Sequence, residues 1–223
     1  MIFELAVFHP DSVFIAQQCH VSRIELCDNY QVGGVTPSIE NFKYARRVFQ
    51  GPIMVMIRPV AGEFVYDESV INKMIDEIEL FNNLGADGFV FGCLTSDKRV
   101  NGSQLARLVD ACIRKPVTFH RAIDSVLEYE IGIQRLIKCG VTSVLTTCQE
   151  ANALQGKDKI NEMILKYGSR LNFIAGGGVR SNNVVELLAD TSISEIHSAA
   201  ITDSINYIAD KNEVQSILGK IQL

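Results

Sequence analysis

Pro116-Val117-Thr118-Phe119-His120-Arg121-Ala122-Ile123-Asp124 is the stretch around which the rest of this chain is organised. Pro116 opens an apolar, β-type run, and polar and charged side chains crowd its downstream end. Side chains alternate along a strand, so Thr118 and His120 share one face and Phe119 and Arg121 the other. A buried parallel strand has no apolar use for a histidine and an arginine in succession. Such groups are expected where parallel strands end, at the carboxyl edge of the sheet. The plainer alternative is a core histidine bonded to a neighbouring strand, with Arg121 in a surface ion pair.

Around this stretch the chain alternates a short apolar run with a longer helical pattern, eight times. The runs are Phe3–Phe8, Arg23–Cys27, Ile53–Arg58, Gly88–Gly92, the quoted stretch, Ser143–Thr147, Asn172–Ala175 and Ser194–Ser198. Helical patterns fall at Ser12–Gln18, Ser38–Phe49, Asp67–Leu84, Ser103–Ile113, Leu127–Cys139, Lys157–Tyr167 and Asn182–Ala189, with a last one in Asp210–Ile221. The clearest is Asp67–Leu84, where Val70, Ile71, Met74, Ile75, Ile78 and Phe81 recur at three and four and Gly85 stops the helix. Eight such units predict a parallel sheet closed into a single-domain (β/α)8 barrel, with its core over about 2–200 and a tail over 201–223. An open doubly wound sheet would call for a Gly-x-Gly-x-x-Gly turn after the first strand, and the sequence has none.

Composition narrows the function classes. The 223 residues are 47% hydrophobic and 21% charged, with a formal net charge of −5. That balance and the lack of a basic run argue against nucleic acid or an anionic membrane surface as partner. Met1-Ile2-Phe3-Glu4-Leu5 enters a strand pattern directly, so a cytoplasmic, non-membrane protein is expected. The six cysteines include no Cys-x-x-Cys pair, and most read as small buried hydrophobes.

In a closed barrel one parity of each strand faces inward. Glu4, Glu25, Arg58, Thr118, His120, Glu195 and His197 then converge on the interior, with the carboxylates of Glu195, Glu4 and Glu25 beside the Arg58 guanidinium. Charges so placed cost several kcal/mol each unless paired, so they point to a polar mouth built for a small ligand or for proton transfer. Glu25 and His120 are the candidate acid and base and Arg58 the electrostatic clamp. Arg121 and Asp124 lie at the same edge. Gly176-Gly177-Gly178 after the seventh strand predict an anion site made from backbone amides, which Ser198-Ala199-Ala200 at the end of the eighth would complete, with His197 a further candidate ligand-binding residue. Cys27, Cys93 and Cys148 each end an alternate strand, where a thiolate could bind a soft metal, yet alternate strands are not neighbours. Met54 and Met56 share a face of the third strand and read as core.

Seven strings carry a resemblance. They are Arg23-Ile24-Glu25-Leu26-Cys27, Gly33-Gly34-Val35-Thr36-Pro37-Ser38, Met56-Ile57-Arg58-Pro59, Thr118-Phe119-His120-Arg121-Ala122, Ala153-Leu154-Gln155-Gly156, Ala175-Gly176-Gly177-Gly178-Val179 and Glu195-Ile196-His197-Ser198. Together, in this order from about Glu4 to Ala200, they resemble the copper homeostasis protein CutC family. The resemblance implies a TIM barrel, a cytoplasmic and often homo-oligomeric protein, and a role in copper handling with Cys27 as a suggested Cu(I) ligand. Two strings depart from the family pattern. Arg58-Pro59-Val60-Ala61-Gly62-Glu63-Phe64 stands where Arg-Pro-Arg-Gly-Gly-Asp-Phe is usual, which removes a cation, and Thr146-Thr147-Cys148 replaces a Thr-Ser-Gly type sequence.

Overall fold

The eight apolar runs form eight parallel strands, seen in a computed structural model that describes residues 1–203 and 205–221. They are β1 (Ile2–Val7), β2 (Arg23–Leu26), β3 (Ile53–Met56), β4 (Gly88–Phe91), β5 (Val117–Phe119), β6 (Ser143–Thr146), β7 (Asn172–Gly176) and β8 (Glu195–Ser198). They pair in sequence order, and β8 closes on β1, giving the expected (β/α)8 barrel. The crossover helices are α1 (Pro10–Cys19), α2 (Ile39–Val48), α3 (Glu68–Leu84), α4 (Gly102–Ala111), α5 (Tyr129–Lys138), α6 (Lys157–Tyr167) and α7 (Val184–Leu188), and α8 (Lys211–Ile221) fills the tail. Ser204, Gln222 and Leu223, which the expected domain over 1–223 includes, lie outside the described residues. Among the described residues no helix is long and apolar enough to cross a membrane.

Local chemistry sets the helix ends. Asp67 caps α3 by accepting from the Val70 amide, and Gly85 ends it in the left-handed region at φ 93°. Ser38 caps α2 through the Asn41 amide. α7 is shorter than its apolar pattern because Asn183 accepts from the Arg180 amide and a turn occupies the residues before Val184.

Strand parity separates two interiors. Phe3, Leu5, Ile24, Val55, Phe89, Phe91, Phe119 and Val144 face outward and join the helices in the main core. The inward parity differs around the barrel. β3 and β4, with the residue after β2, supply Met54, Met56, Val90 and Cys27, a small apolar cluster with Phe8 against it. β8, β1 and β2 supply Glu195, His197, Glu4, Arg23 and Glu25 instead, brought level by the pairings Glu4↔Arg23 and Glu4↔His197. Charge is thus confined to one arc of the barrel wall.

β2, β3 and β5 end before the polar residues that the sequence pattern includes in them. Cys27, Arg58 and His120 follow the last strand residues, although the amides of Cys27 and His120 still bond to Val7 and Phe91. A 3-10 turn over Arg121–Ser125 begins directly after His120. Alternation therefore stops there, and Arg121 does not share the outward face of Phe119.

The barrel wall has no slack opposite Met54. A Cβ added at Gly88 would lie 2.5 Å from Met54 Cε and 2.7 Å from the Pro116 carbonyl oxygen. Gly88→Ala should cost about 1–3 kcal/mol of unfolding free energy in urea titrations, the range of core overpacking. A neutral result would mean that the interior layer is loosely packed.

Candidate functional site

The charged arc resolves into named pairs. The Arg23 guanidinium bonds Glu4 through Nε and Glu195 Oε2 at 2.8 Å through Nη2. Glu4 Oε1 lies 2.8 Å from His197 Nδ1, and His197 Nε2 lies 3.5 Å from Glu25 Oε2. The cation beside the carboxylates is therefore Arg23, not Arg58 as the strand pattern suggested. Arg23 shares the inward parity of Glu25 and Cys27, so its place was open to the same counting that found them.

Arg58 sits higher, at the loops. Its Nη1 donates to the carbonyls of Val32 and Gly34 and its Nη2 to that of Gly62, each at 2.8 Å. Its guanidinium also stacks 4.9 Å over the Phe64 ring. Arg58 thereby ties the β2–α2 loop to the β3–α3 loop. Its role as clamp is mainly on the protein's own backbone, and only its Nε is buried without a partner.

His120 faces inward as its parity requires. Its Nδ1 accepts from the Ala122 amide at 3.2 Å, which puts the ring proton on Nε2. That Nε2 is buried with no protein partner. Burial first, and the nearby Arg58 charge second, push the imidazole down to about 3, so it is neutral at neutral pH and offers a hydrogen-bond donor. Phe64 packs on it at 4.6 Å between ring centroids.

These side chains enclose a cavity of about 150 Å³ at the mouth, lined by Phe8, Glu25, Cys27, Arg58, His120, Arg121 and His197 among others. Glu25 Oε1, like Arg58 Nε and His120 Nε2, is a buried atom there without a partner. Burial raises the Glu25 carboxyl to about 7, partly offset by His197. Burial acts upward on Glu4 too, but the His197 hydrogen bond and the Arg23 charge hold it at about 2. Burial alone would lower His197, and its bond to Glu4 with the charge of Glu25 raises it instead.

Arg121 reaches the cavity from its 3-10 turn and pairs with Asp124 at 3.0 Å. Asp124 is a structural hub, accepting from the Thr146 hydroxyl, the Thr147 amide and hydroxyl, and the Gln149 amide. It holds the β5 and β6 loops together and thereby sets Arg121. Gly177, at φ 107°, lies under Arg121, since a Cβ there would be 3.3 Å from the guanidinium carbon. Gly176 packs on Leu145 and His197, and Gly178 follows at φ 77°. Ser198 is not part of this wall: its hydroxyl donates to the Val179 carbonyl and accepts from Arg180 and Ala200. Ser198 has the outward parity of Ile196, which removes it from the expected anion site.

The three strand-end cysteines do not converge. Cys27 faces inward with Met54 and Met56, whereas Cys93 and Cys148 belong to the outer core. Burial pushes the Cys27 thiol well above its usual range, with the Glu25 charge adding to it. Among the described residues, the set of three His, Cys, Asp or Glu ligand atoms close enough to share an ion is Glu4, Glu25 and His197, without Cys27. Cu(I) favours several soft donors, and the residues around Cys27 do not assemble a multi-thiolate centre.

Glu25 makes a pH-dependent test possible. Its folded value of about 7 exceeds the ordinary 4.5, so the stability it contributes is full below pH 4.5 and is lost as pH rises through 7. In chelator-treated protein, Glu25→Gln should be more stable than wild type at pH 8 by about 2–3 kcal/mol, with the gain vanishing near pH 4.5. Equal stability of the two at pH 8 in urea unfolding would place the carboxylate in a wet or paired setting.

Comparison with known proteins agrees with the fold. The CutC family pattern matches residues 1–202. A CutC family protein of Pasteurella multocida (strain Pm70) is 37% identical over 197 residues, covering 88% of this chain and 81% of that protein. The human protein named copper homeostasis protein cutC homolog is 34% identical over 199 residues, covering 89% of this chain and 73% of its own. The crystal structure of a copper homeostasis protein CutC from Streptococcus agalactiae superposes with a TM-score of 0.84 at 27% identity, over 89% of this chain and 98% of that one. A phosphoribosyl anthranilate isomerase from Thermotoga maritima, at 11% identity and a TM-score of 0.66, shares the fold alone. By its family match, its relatives and its barrel, this chain belongs to the CutC family.

Proposed function

We propose that this chain shares the copper-homeostasis role in which its human and mouse relatives are named and, as a separate reading that its cavity supports, that it binds or acts on a small carboxylated or phosphorylated metabolite at the barrel mouth. One observation carries the reading: besides Arg58 Nε, two buried polar atoms on residues lining one cavity, Glu25 Oε1 and His120 Nε2, have no protein partner. An unpaired buried polar group costs about 1–3 kcal/mol, so a ligand that pairs both recovers that cost on binding. His120 donates through Nε2–H, Arg121 supplies the cation for an anionic group, and Glu25 accepts or returns a proton. The Gly177 amide, beside Arg121, and the Gly178 amide that follows it suit a phosphate or carboxylate at the rim. The cavity is small, which limits the reacting part of the ligand to a few heavy atoms. Six free cysteines suit a reducing, cytoplasmic setting.

Cys27 favours a second reading, direct Cu(I) binding, because its thiol and Met56 line the same cavity. The two readings separate cleanly. Chelator-treated protein is screened by thermal shift against inorganic phosphate and short carboxylates with and without a phosphate ester. A binding member should raise the melting temperature with saturation, as ligand linkage requires. His120→Phe and Arg121→Ala should each weaken that binding about tenfold or more, and Cys27→Ser should leave it unchanged. Failure of every anion, with tight one-to-one Cu(I) binding that Cys27→Ser abolishes, would transfer the function to the thiol.

A further inference from the structure

We infer that the inner end of the cavity is a site for one borderline divalent cation of the zinc class, held by His197 Nε2 and the Glu25 carboxylate, with Glu4 orienting the imidazole. The geometry has the parts of such a site. Glu4, Glu25 and His197 each offer a ligand atom, all within 4.8 Å of one another. Their roles differ. Glu4 Oε1 takes the His197 Nδ1 side at 2.8 Å, which keeps a proton there and leaves Nε2, whose own proton a bound cation would displace, facing Glu25 Oε2, 3.5 Å away. A carboxylate behind the ring is the usual support of a metal-bound histidine. Glu4 is itself tied to Arg23, and Arg23 to Glu195, so it stays behind the ring and does not approach an ion.

A second, independent observation points to a ligand at this position. Glu25 is only 3% exposed, its Oε1 has no hydrogen-bond partner, and it lines the cavity. Within the described protein nothing satisfies that oxygen. A cation between it and His197 Nε2 would, and the cavity leaves its remaining positions open to water or to an anion. Imidazole and carboxylate donors select zinc, cobalt(II) or copper(II) over Cu(I), which prefers sulfur. The positive charge of Arg23 is already matched by Glu4 and Glu195, so it does not repel an ion at Glu25 strongly.

The site shares its cavity with the anion reading but does not depend on it, because anion binding is measured on chelator-treated protein. The full chain, freed of metal, is titrated with Co²⁺ by visible absorption and with Zn²⁺ by calorimetry. One ion per chain should bind, without a sulfur-to-cobalt charge-transfer band. Glu25→Gln and His197→Asn should each weaken binding about tenfold or more, and Glu4→Gln by about 10–100-fold. Cys27→Ser should bind as wild type does. Should His197→Asn or Glu4→Gln fail to fold, Glu25→Gln decides, since it alters a side chain that has one unpartnered oxygen. No stoichiometric binding, binding untouched by Glu25→Gln, or binding lost in Cys27→Ser would each overturn the inference.

Discussion

Three carboxylates and two cations share the inner arc of this barrel, and the way they divide leaves one carboxylate short. Glu4 is held by both Arg23 and His197, and Glu195 by Arg23. Glu25 has only the 3.5 Å approach of His197. Buried ion networks seldom add stability over apolar packing, so this one is better explained by what it does to Glu25. It fixes the neighbours of Glu25 rigidly and leaves its outer oxygen facing a cavity. The same network anchors His197, which the cavity shares with the charged arc as it does Glu25.

The mouth above is built by two further fixtures. Arg58 ties the loops after β2 and β3 through three backbone carbonyls, and Asp124 ties those after β5 and β6 through two threonines and two amides. Between them His120 is locked by the Ala122 amide and Phe64, and Gly92 allows its ring to lie close. A Cβ at Gly92 would stand 2.6 Å from His120 Cε1. Preorganised groups of this kind gain from not having to reorganise when a ligand arrives.

Much of this was legible in the residues. Period-two counting along each run placed Glu4, Glu25, Glu195, His197 and His120 inside, and the alternation of runs with helical patterns gave the barrel. The same counting separates Cys27 from Cys93 and Cys148. It could not assign partners, because which guanidinium meets which carboxylate depends on inter-strand register: Glu4 pairs level with Arg23, while Arg58 lies beyond the end of β3. It also failed where strands end. Arg121 left its parity in a 3-10 turn, and Ser198 kept the outward parity that the anion reading overlooked.

The central claim is that His120 and Glu25 hold a donor and a carboxyl ready at the barrel mouth, and the His120 tautomer tests it most directly. Nitrogen NMR of the imidazole side chains in ligand-free protein reads it. His120 should be neutral with its proton on Nε2 from neutral pH down to about pH 4, while His197 remains protonated above its ordinary range. A His120 that protonates near pH 6, or that carries its proton on Nδ1, would contradict the account.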